Sequence, residues 1–301
     1  MTISSDVPLD AAPNTRVAAV VLTYHPDPEV VVNVDAVAAQ VGRVYVVNNS
    51  PDEHSARILA FAAERDDVVV LDQAGNVGVA TGFNAGIRAA LAAGFDDVWI
   101  FDQDSRVTPG SLRQLLEARV AREASGELVG VVGPALRSNA TGIIYARESG
   151  TGARGAEVLI SSGSLFSRAL LDAIGLHDQP LFIDYVDHDI CLRARARGFR
   201  NLKVYDAILD HSFGDADAVR LLGRRVYLAN YSTMRHFHAA RNRLIVVRRY
   251  GFGRWFWEDA WFTWKAWVKL LLLEKDRGAK IAAALRGMWA GLRYPARERR
   301  W

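Results

Sequence analysis

The eight residues Val98-Trp99-Ile100-Phe101-Asp102-Gln103-Asp104-Ser105 decide how the chain is read. Four consecutive β-branched or aromatic residues describe a short strand covered on both faces, the habit of a parallel sheet. That strand runs straight into two aspartates. Ligands of parallel sheets bind where the strands end, and side-chain alternation puts Asp102 and Asp104 on one side if the backbone stays extended. Two hard oxygen donors there suit a divalent cation, Mg2+ or Mn2+, that also holds a diphosphate. Such an ion offsets the charge that develops as a nucleoside diphosphate departs. In isolation an Asp-x-Asp pair is equally a strand-ending turn, so the metal reading rests on its surroundings.

Outward from this strand, residues 17–22, 44–47 and 68–71 read as buried strands, and residues 29–40, 53–63 and 79–93 carry apolar positions at helical spacing. Strands alternating with helices predict an α/β fold, a mostly parallel sheet with helices on both faces. Residues 129–132, 158–160 and 201–205 add strands, with a Gly/Ser/Thr-rich loop over 137–155. After about residue 230 the pattern turns helical, over 231–250, 254–273 and 280–292, and seven of the eight tryptophans fall in this last part. The change is one of composition, without a flexible linker. It predicts an irregular N-terminus over 1–15, a catalytic domain over 16–229, and a helical extension over 230–301 packed on it.

Small polar residues close three other strands. The first ends in Thr23-Tyr24, the second in Asn48-Asn49, and the third leads into Gly75-Asn76-Val77-Gly78. Asparagine amides can read a pyrimidine edge, and glycines let a backbone approach a ribose or phosphate. Thr23, Tyr24, Asn48, Asn49, Asn76 and Gly78, with Asp102, Gln103 and Asp104, are therefore the expected contacts to a nucleotide sugar. Gly82 and Gly86 lie inside a helical pattern and are expected to let that helix lie close to the sheet. The glycine spacing matches neither the dinucleotide-binding G-x-G-x-x-G nor a P-loop.

Together, Val20-Val-Leu-Thr-Tyr24, Val46-Val-Asn-Asn-Ser50, Gly75-Asn-Val-Gly78 through Asn84-Ala-Gly86, and Phe101-Asp-Gln-Asp-Ser105 resemble the successive blocks of family-two glycosyltransferases. The Asp-Gln-Asp-Ser form is similar to that of bacterial rhamnosyltransferases using dTDP-L-rhamnose. The resemblance implies a nucleotide-binding fold of the GT-A type, a divalent cation, and inversion at the anomeric carbon. Many relatives place Asp-Asp where this chain has Asn48-Asn49, which leaves the nucleotide open.

An inverting transfer is a single displacement, so one carboxylate takes the proton of the acceptor hydroxyl as it attacks. The segment from Phe182 to Gly198 carries Asp184, Asp187, His188 and Asp189 ahead of arginines and a stop glycine. It reads as a helix starting near Asp187. The resemblance aligns Asp187 with the family's catalytic aspartate, but Val186 replaces the usual preceding glutamate, so Asp187 and Asp189 both remain candidates, with Asp187 preferred. Asp184 reads as a helix cap, and His188 as a residue facing solvent. Relatives often supply a further metal ligand from a later histidine, a place that His211 fits. Ser161-Ser162-Gly163-Ser164 resembles the family's acceptor-side turn, and reads equally as capping before a helix near Ser167. Arg241-Asn242-Arg243 resembles a block that follows the catalytic domain in rhamnosyltransferases.

The net charge of +3 is unevenly placed: residues 251–301 hold eleven Lys/Arg against five Asp/Glu, and the remaining residues 26 against 29. Basicity confined to the tail argues against nucleic acid as a partner of the main body, and for an anionic contact at the tail. Trp257, Trp261, Trp264, Val268 and Leu271 form one helical stripe, with Glu258, Lys265 and Lys269 on another side. This stripe reads as packing against the catalytic domain, as a homodimer face, or as an interfacial helix on anionic lipid assisted by the basic residues from 293 to 300. A single cysteine, Cys191, a polar start and no run of eighteen apolar residues predict a protein without disulfide, leader or membrane span. Its expected place is the cytoplasm, peripherally on the inner face of the plasma membrane.

The expected reaction is transfer of L-rhamnose to a saccharide or lipid-linked saccharide during bacterial surface-polysaccharide synthesis. Alternatives are another sugar, galactofuranose or N-acetylhexosamine from a UDP donor, a sugar nucleotidyltransferase, or an inactive sugar-nucleotide sensor. A nucleotidyltransferase would carry a glycine-rich, lysine-containing loop after its first strand, where this chain has Thr23-Tyr-His-Pro26. A sensor would have lost the base.

Overall fold

The computed structural model describes residues 14–138, 144, 148–211, 217–221, 224–228 and 230–295. Strands β1 (Asn14–Thr23), β2 (Val41–Asn48), β3 (Val68–Asp72) and β4 (Asp97–Asp102) alternate with helices α1 (Glu29–Ala38), α2 (Glu53–Leu59) and α3 (Val79–Ala92). β1 pairs in parallel with β2 and β4, and β2 with β3. The continuous apolar run of β1 is explained by cover on both faces. Val17, Ala19 and Val21 enter one core, while Ala18, Val20 and Leu22 enter the other. Asn14 and Thr15 already belong to β1, so the irregular start expected over 1–15 lies, up to residue 13, outside the described residues.

The second half of the sheet is mixed. β5 (Arg106–Val107), β6 (Val129–Ser138), β7 (Ala153–Ala156), β8 (Ser164–Ser167) and β9 (Arg200–His211) complete the order β3-β2-β1-β4-β8-β6-β9-β5, with β7 also on β9. β8 lies between β4 and β6, antiparallel to both. Residues 158–160, expected as a strand, form none; the strand falls a few residues later. Helix α4 (Ser111–Glu123) escaped the sequence reading because only Ser111, Leu112 and Leu115 of its thirteen residues are buried, too few to set a helical period. α5 (Arg168–Ile174) starts after Ser167, whose side chain accepts from the Leu170 N–H, and α6 (Val186–Ala196) carries the second group of aspartates.

A hairpin, β10 (Asp217–Leu221) with β11 (Arg224–Leu228), precedes α7 (Thr233–Tyr250), α8 (Arg254–Leu273) and α9 (Arg277–Arg293). α7 and α9 lie backbone to backbone: a Cβ on Gly287 would fall 2.2 Å from the Phe237 carbonyl oxygen. α7 seats Ile245 against Ala80, Leu181 and Val186, and Val246 against Leu192 and Trp255. Cys191 is buried and unpaired. Among the described residues no helix is long and apolar enough to cross a membrane.

α3 shows why its glycines are there. A Cβ on Gly82 would come 2.4 Å from Leu22 Cδ1, and one on Gly86 would come 2.3 Å from Val20 Cγ1 with Val47 at 3.0 Å. These contacts are with buried strand side chains that have nowhere to move. Gly86→Ala is expected to lower the unfolding free energy by about 1–3 kcal/mol despite its better helix propensity, measured by urea denaturation.

Candidate active site

Asp102 is the last residue of β4, held in register by Leu22 of β1. Its N–H donates to Ser162 Oγ at 3.1 Å, and Ser162 Oγ donates to Ser105 Oγ at 2.7 Å. Ser105 Oγ in turn lies 2.8 Å from Nδ1 of His211, at the end of β9. The same nitrogen stands 3.9 Å from Asp104 Oδ1. Two strands distant in sequence therefore deliver Asp102, Asp104 and His211 to one corner, joined by two buried serines. The turn at Ser161–Ser164 serves this corner: Gly163 has φ +78°, and its N–H donates to the Ile100 carbonyl at 2.8 Å.

The electrostatics of the corner are adverse to anions. Burial, then the charges of Asp104 and Asp187, push the Asp102 carboxyl up to about 7, with Arg235 opposing. Burial also raises Asp104, against the pull of His211, and burial holds His211 below the ordinary imidazole range. Among the described residues, no three His, Cys, Asp or Glu side chains are grouped closely enough to enclose a cation by themselves. What this chain presents is a partial donor set beside mutually repelling carboxylates. That fits an ion whose remaining ligands come from a diphosphate and water.

The opposite wall is a loop under strain. Phe182, Asp184 and Tyr185 all have φ +62°, a conformation that costs a non-glycine residue about 1–3 kcal/mol. Asn242 of α7, fully buried, holds the loop in that shape: its Nδ2 donates to the carbonyls of Leu181, Ile183 and Asp184 at 2.7, 2.8 and 3.0 Å. Arg243 reaches the Tyr185 hydroxyl at 2.9 Å and Asp259 Oδ2 at 2.8 Å. The Arg-Asn-Arg block is thus a clamp on the loop that carries the second aspartate group. Asp184, expected to cap α6, instead takes Arg235 Nη2 at 3.1 Å; the N-cap position belongs to Tyr185, without a side-chain cap.

Asp187 follows, in the first turn of α6. Its Oδ1 accepts from the His188 N–H at 2.8 Å and lies 2.9 Å from His188 Nδ1. Burial pushes Asp187 up, but the charge and hydrogen bonds of His188 prevail and hold it below the ordinary carboxylate range. His188 is raised by Asp187 against its own burial. The expectation of a solvent-facing His188 is corrected: its side chain is 24% exposed, and its ring meets Tyr185 at 4.9 Å and Trp255 at 5.9 Å. Asp189 points the other way. It is wholly buried, paired with Arg193, with Arg249 Nη1 at 2.7 Å and with the Tyr250 hydroxyl at 2.9 Å. Asp189 locks α6 to α7.

The expected nucleotide contacts mostly bond one another. Thr23 Oγ1 donates to the Val47 carbonyl at 3.2 Å. Asn48 Nδ2 donates to Asp72 at 2.8 Å, and its Oδ1 accepts from the Ser50 N–H at 3.1 Å. Asn49 Oδ1 accepts from the Val77 N–H at 3.2 Å, and its Nδ2 donates to Asn76 Oδ1 at 3.3 Å. Asn76 Oδ1 also takes the Gly78 N–H at 3.0 Å. Gln103 bridges Tyr24 N–H and C=O at 2.8 and 3.1 Å. These side chains fix the loops at the ends of β1, β2, β3 and β4 against each other, leaving Tyr24, Asn76 and Asp104 the more exposed members. Gly78, φ +83°, packs on the strained loop, where a Cβ would fall 2.4 Å from the Phe182 ring. A cavity of about 310 Å³ opens beside Asn48 and Asp72, lined otherwise by Ala56, Leu59, Ala62, Ala63 and Val70, and none of Asp102, Asp104 and Asp187 lines it.

Sequence reasoning missed Arg235, the pairing of His188 with Asp187, the link of Ser162 and Ser105 to His211, and the function of Asn242. Each acts on a residue that only folding brings near, apart from His188, which the motif pattern treated as an interruption.

An α/β sheet wound in this order, with C-terminal helices packed on it, has the architecture of the GT-A type. The chain belongs to glycosyltransferase family 2: the family described as "Glycosyltransferase like family 2" matches residues 13–250. It is 27% identical over 254 residues to the dTDP-rhamnosyl transferase RfbF of Shigella flexneri, covering 78% of this chain and 81% of that protein. Among solved structures it resembles S. aureus TarS 1-349 in complex with UDP-GlcNAc, with a TM-score of 0.61 and 13% identity over 90% of this chain and 81% of the other. It also resembles the mannosyltransferase PcManGT from Pyrobaculum calidifontis in complex with GDP-Man and Mn2+, with a TM-score of 0.54 and 17% identity over 96% and 80%. At these identities the structures speak for the fold.

Asn242→Ala should cost about 1–3 kcal/mol by removing the amide that serves the buried and half-buried carbonyls of Leu181, Ile183 and Asp184, and should lower kcat more than it weakens donor binding. Asp102→Asn should behave in the opposite sense for stability. A carboxyl raised in the fold binds more protons folded than unfolded, so its ionisation destabilises the fold as pH rises from its ordinary value, 3.8, through about 7. At pH 8 without metal the asparagine variant is therefore expected to melt higher, by about 2–4 °C for each kcal/mol recovered, and to show no gain at pH 4.

Proposed function

We propose that the protein transfers L-rhamnose from dTDP-L-rhamnose to a saccharide or lipid-linked saccharide, with inversion and a divalent cation, in bacterial surface-polysaccharide synthesis on the cytoplasmic side. The observation that carries this reading is that Asp104 and Asp187 both stand near enough to Asp102 for their charges, with burial, to raise its carboxyl, while His188 holds Asp187 below the ordinary carboxylate range. The relative that uses dTDP-rhamnose supports the donor, and the neighbour holding GDP-Man and Mn2+ supports the cation.

Asp104 and His211 would hold Mg2+ or Mn2+, with Asp102 beside them. In the ligating tautomer Nδ1–H of His211 donates to Ser105, which orients the ring. The bound ion would neutralise the diphosphate as it leaves. Thr23, Tyr24, Asn48, Asn49, Asn76, Gly78 and Gln103 shape the nucleotide end of the cleft.

Asp187 is the base. Its Oδ1 is occupied by the two His188 donors, so Oδ2 takes the acceptor's proton. The acceptor oxygen bonds to the anomeric carbon from one face while the carbon–oxygen bond to the diphosphate breaks on the other. The electron pair departs with the nucleoside diphosphate. Asp189, with its oxygens engaged in a buried ion cluster, is excluded from this role.

The test is thermal protection across a panel of nucleotide sugars with Mn2+, followed by turnover. dTDP-rhamnose should protect best, and EDTA should remove the protection. A preference for UDP-sugars would overturn the rhamnose assignment and leave the enzyme class standing. Asp187→Asn should keep donor protection and lose about 10²–10⁴-fold in transfer; undiminished turnover would move the base elsewhere.

A further inference from the structure

α8 is twenty residues long, and only Trp255 and Leu270 of it are buried. At about 100° per residue, Asp259, Thr263 and Leu270 share its inner side. Arg243 of α7 binds Asp259 and Thr263 there. The opposite side carries Trp257, Trp261 and Trp264, which are 68%, 49% and 57% exposed, and continues into the exposed Leu271 and Leu272. A globular core helix would hide this side. Lysines flank it: Lys265 Nζ lies 4.6 Å above the Trp261 ring, and Lys269 stands one turn on. Its exposed acid, Glu258, faces Arg254 at 3.9 Å. α9 repeats the chemistry, with Trp289 56% exposed beneath the Arg293 guanidinium at 4.2 Å.

We infer that α8 is a membrane-docking surface, lying in the headgroup region of an anionic bilayer with its tryptophans inserted and its lysines on lipid phosphates. Tryptophan and lysine side by side suit that boundary, where one is half wet and the other meets fixed negative charge. A second copy of this chain fits less well, since a two-fold contact would set like-charged lysine borders against each other. The inner side of the same helix reaches the site. Asp259 Oδ1 accepts from the Tyr185 hydroxyl at 2.8 Å, on the strained loop, and Trp255 abuts His188, the partner of Asp187. Docking by α8 would therefore set the acceptor side of the cleft at the bilayer surface. That last consequence rests on the proposed lipid-linked acceptor; the docking itself does not.

The experiment mixes the full chain, without donor, metal or acceptor, with vesicles of phosphatidylcholine alone or with phosphatidylglycerol. It reads co-sedimentation and tryptophan quenching by brominated lipid. Binding should require phosphatidylglycerol and fall with salt. Trp257→Ser, Trp261→Ser and Trp264→Ser combined should weaken it by more than about tenfold. Lys265→Gln and Lys269→Gln should each weaken it about fivefold. Absence of binding, equal binding to neutral vesicles, or a dimer in sedimentation velocity that the triple variant dissociates would overturn the inference. None of these outcomes bears on donor protection, so the transferase reading fails or stands separately.

Discussion

Like charges held together in a poorly hydrated corner are the constraint around which this molecule is built. Asp102 stands at the end of a strand whose neighbours are fixed on both sides, so it cannot retreat from Asp104 or from Asp187. Burial makes that arrangement costly in the bare protein. The surrounding structure resists it with directed bonds: two serines tie the strand end to His211, and His188 holds the opposing carboxylate ionised. Neutral side chains in place of Asp102 and Asp104 would remove this cost. Such a cost is expected where a fold serves chemistry.

The two walls of the cleft come from different parts of the chain and are assembled differently. The strand-end wall follows from the parallel sheet and needs only local sequence. The Asp187 wall depends on a loop with three left-handed residues that would relax without Asn242 from α7. That loop also supplies the Phe182 carbonyl to the Val79 N–H at 2.6 Å, at the start of α3, so the loop before α3 and the proposed base Asp187 are set by one piece of backbone. The C-terminal helices therefore hold the loop that leads into α6. Arg235 approaches both Asp102 and Asp184, and Arg243 ties the loop to α8.

The sheet and its first helices were legible because burial on both faces writes itself as runs such as residues 17–22 and 98–101. Helix α8 was legible end to end, since glycines precede it and its stripe is long. β8 was not: four residues beside a Ser/Gly turn carry no period, and its antiparallel place between two strands is a tertiary fact. The site was legible in part. Asp104 stands 3.9 Å from His211 and near Asp102, as the strand-end pattern anticipated, while the bonds that Asn48 and Asn49 make to neighbouring loops leave no mark in the sequence. Spacing alone does not separate Asp187 from Asp189, because two residues apart on a helix is enough to place one carboxylate on His188 and the other in a buried cluster with Arg193 and Arg249.

The most direct measurement is anomalous diffraction from crystals grown with Mn2+ and a nucleoside diphosphate. The expected result is one manganese peak bonded to Asp104 and His211, with the Asp187 carboxylate facing it across the diphosphate. A peak held by other residues, or an Asp187 turned away from the nucleotide, would contradict the assignment of this corner as the catalytic centre.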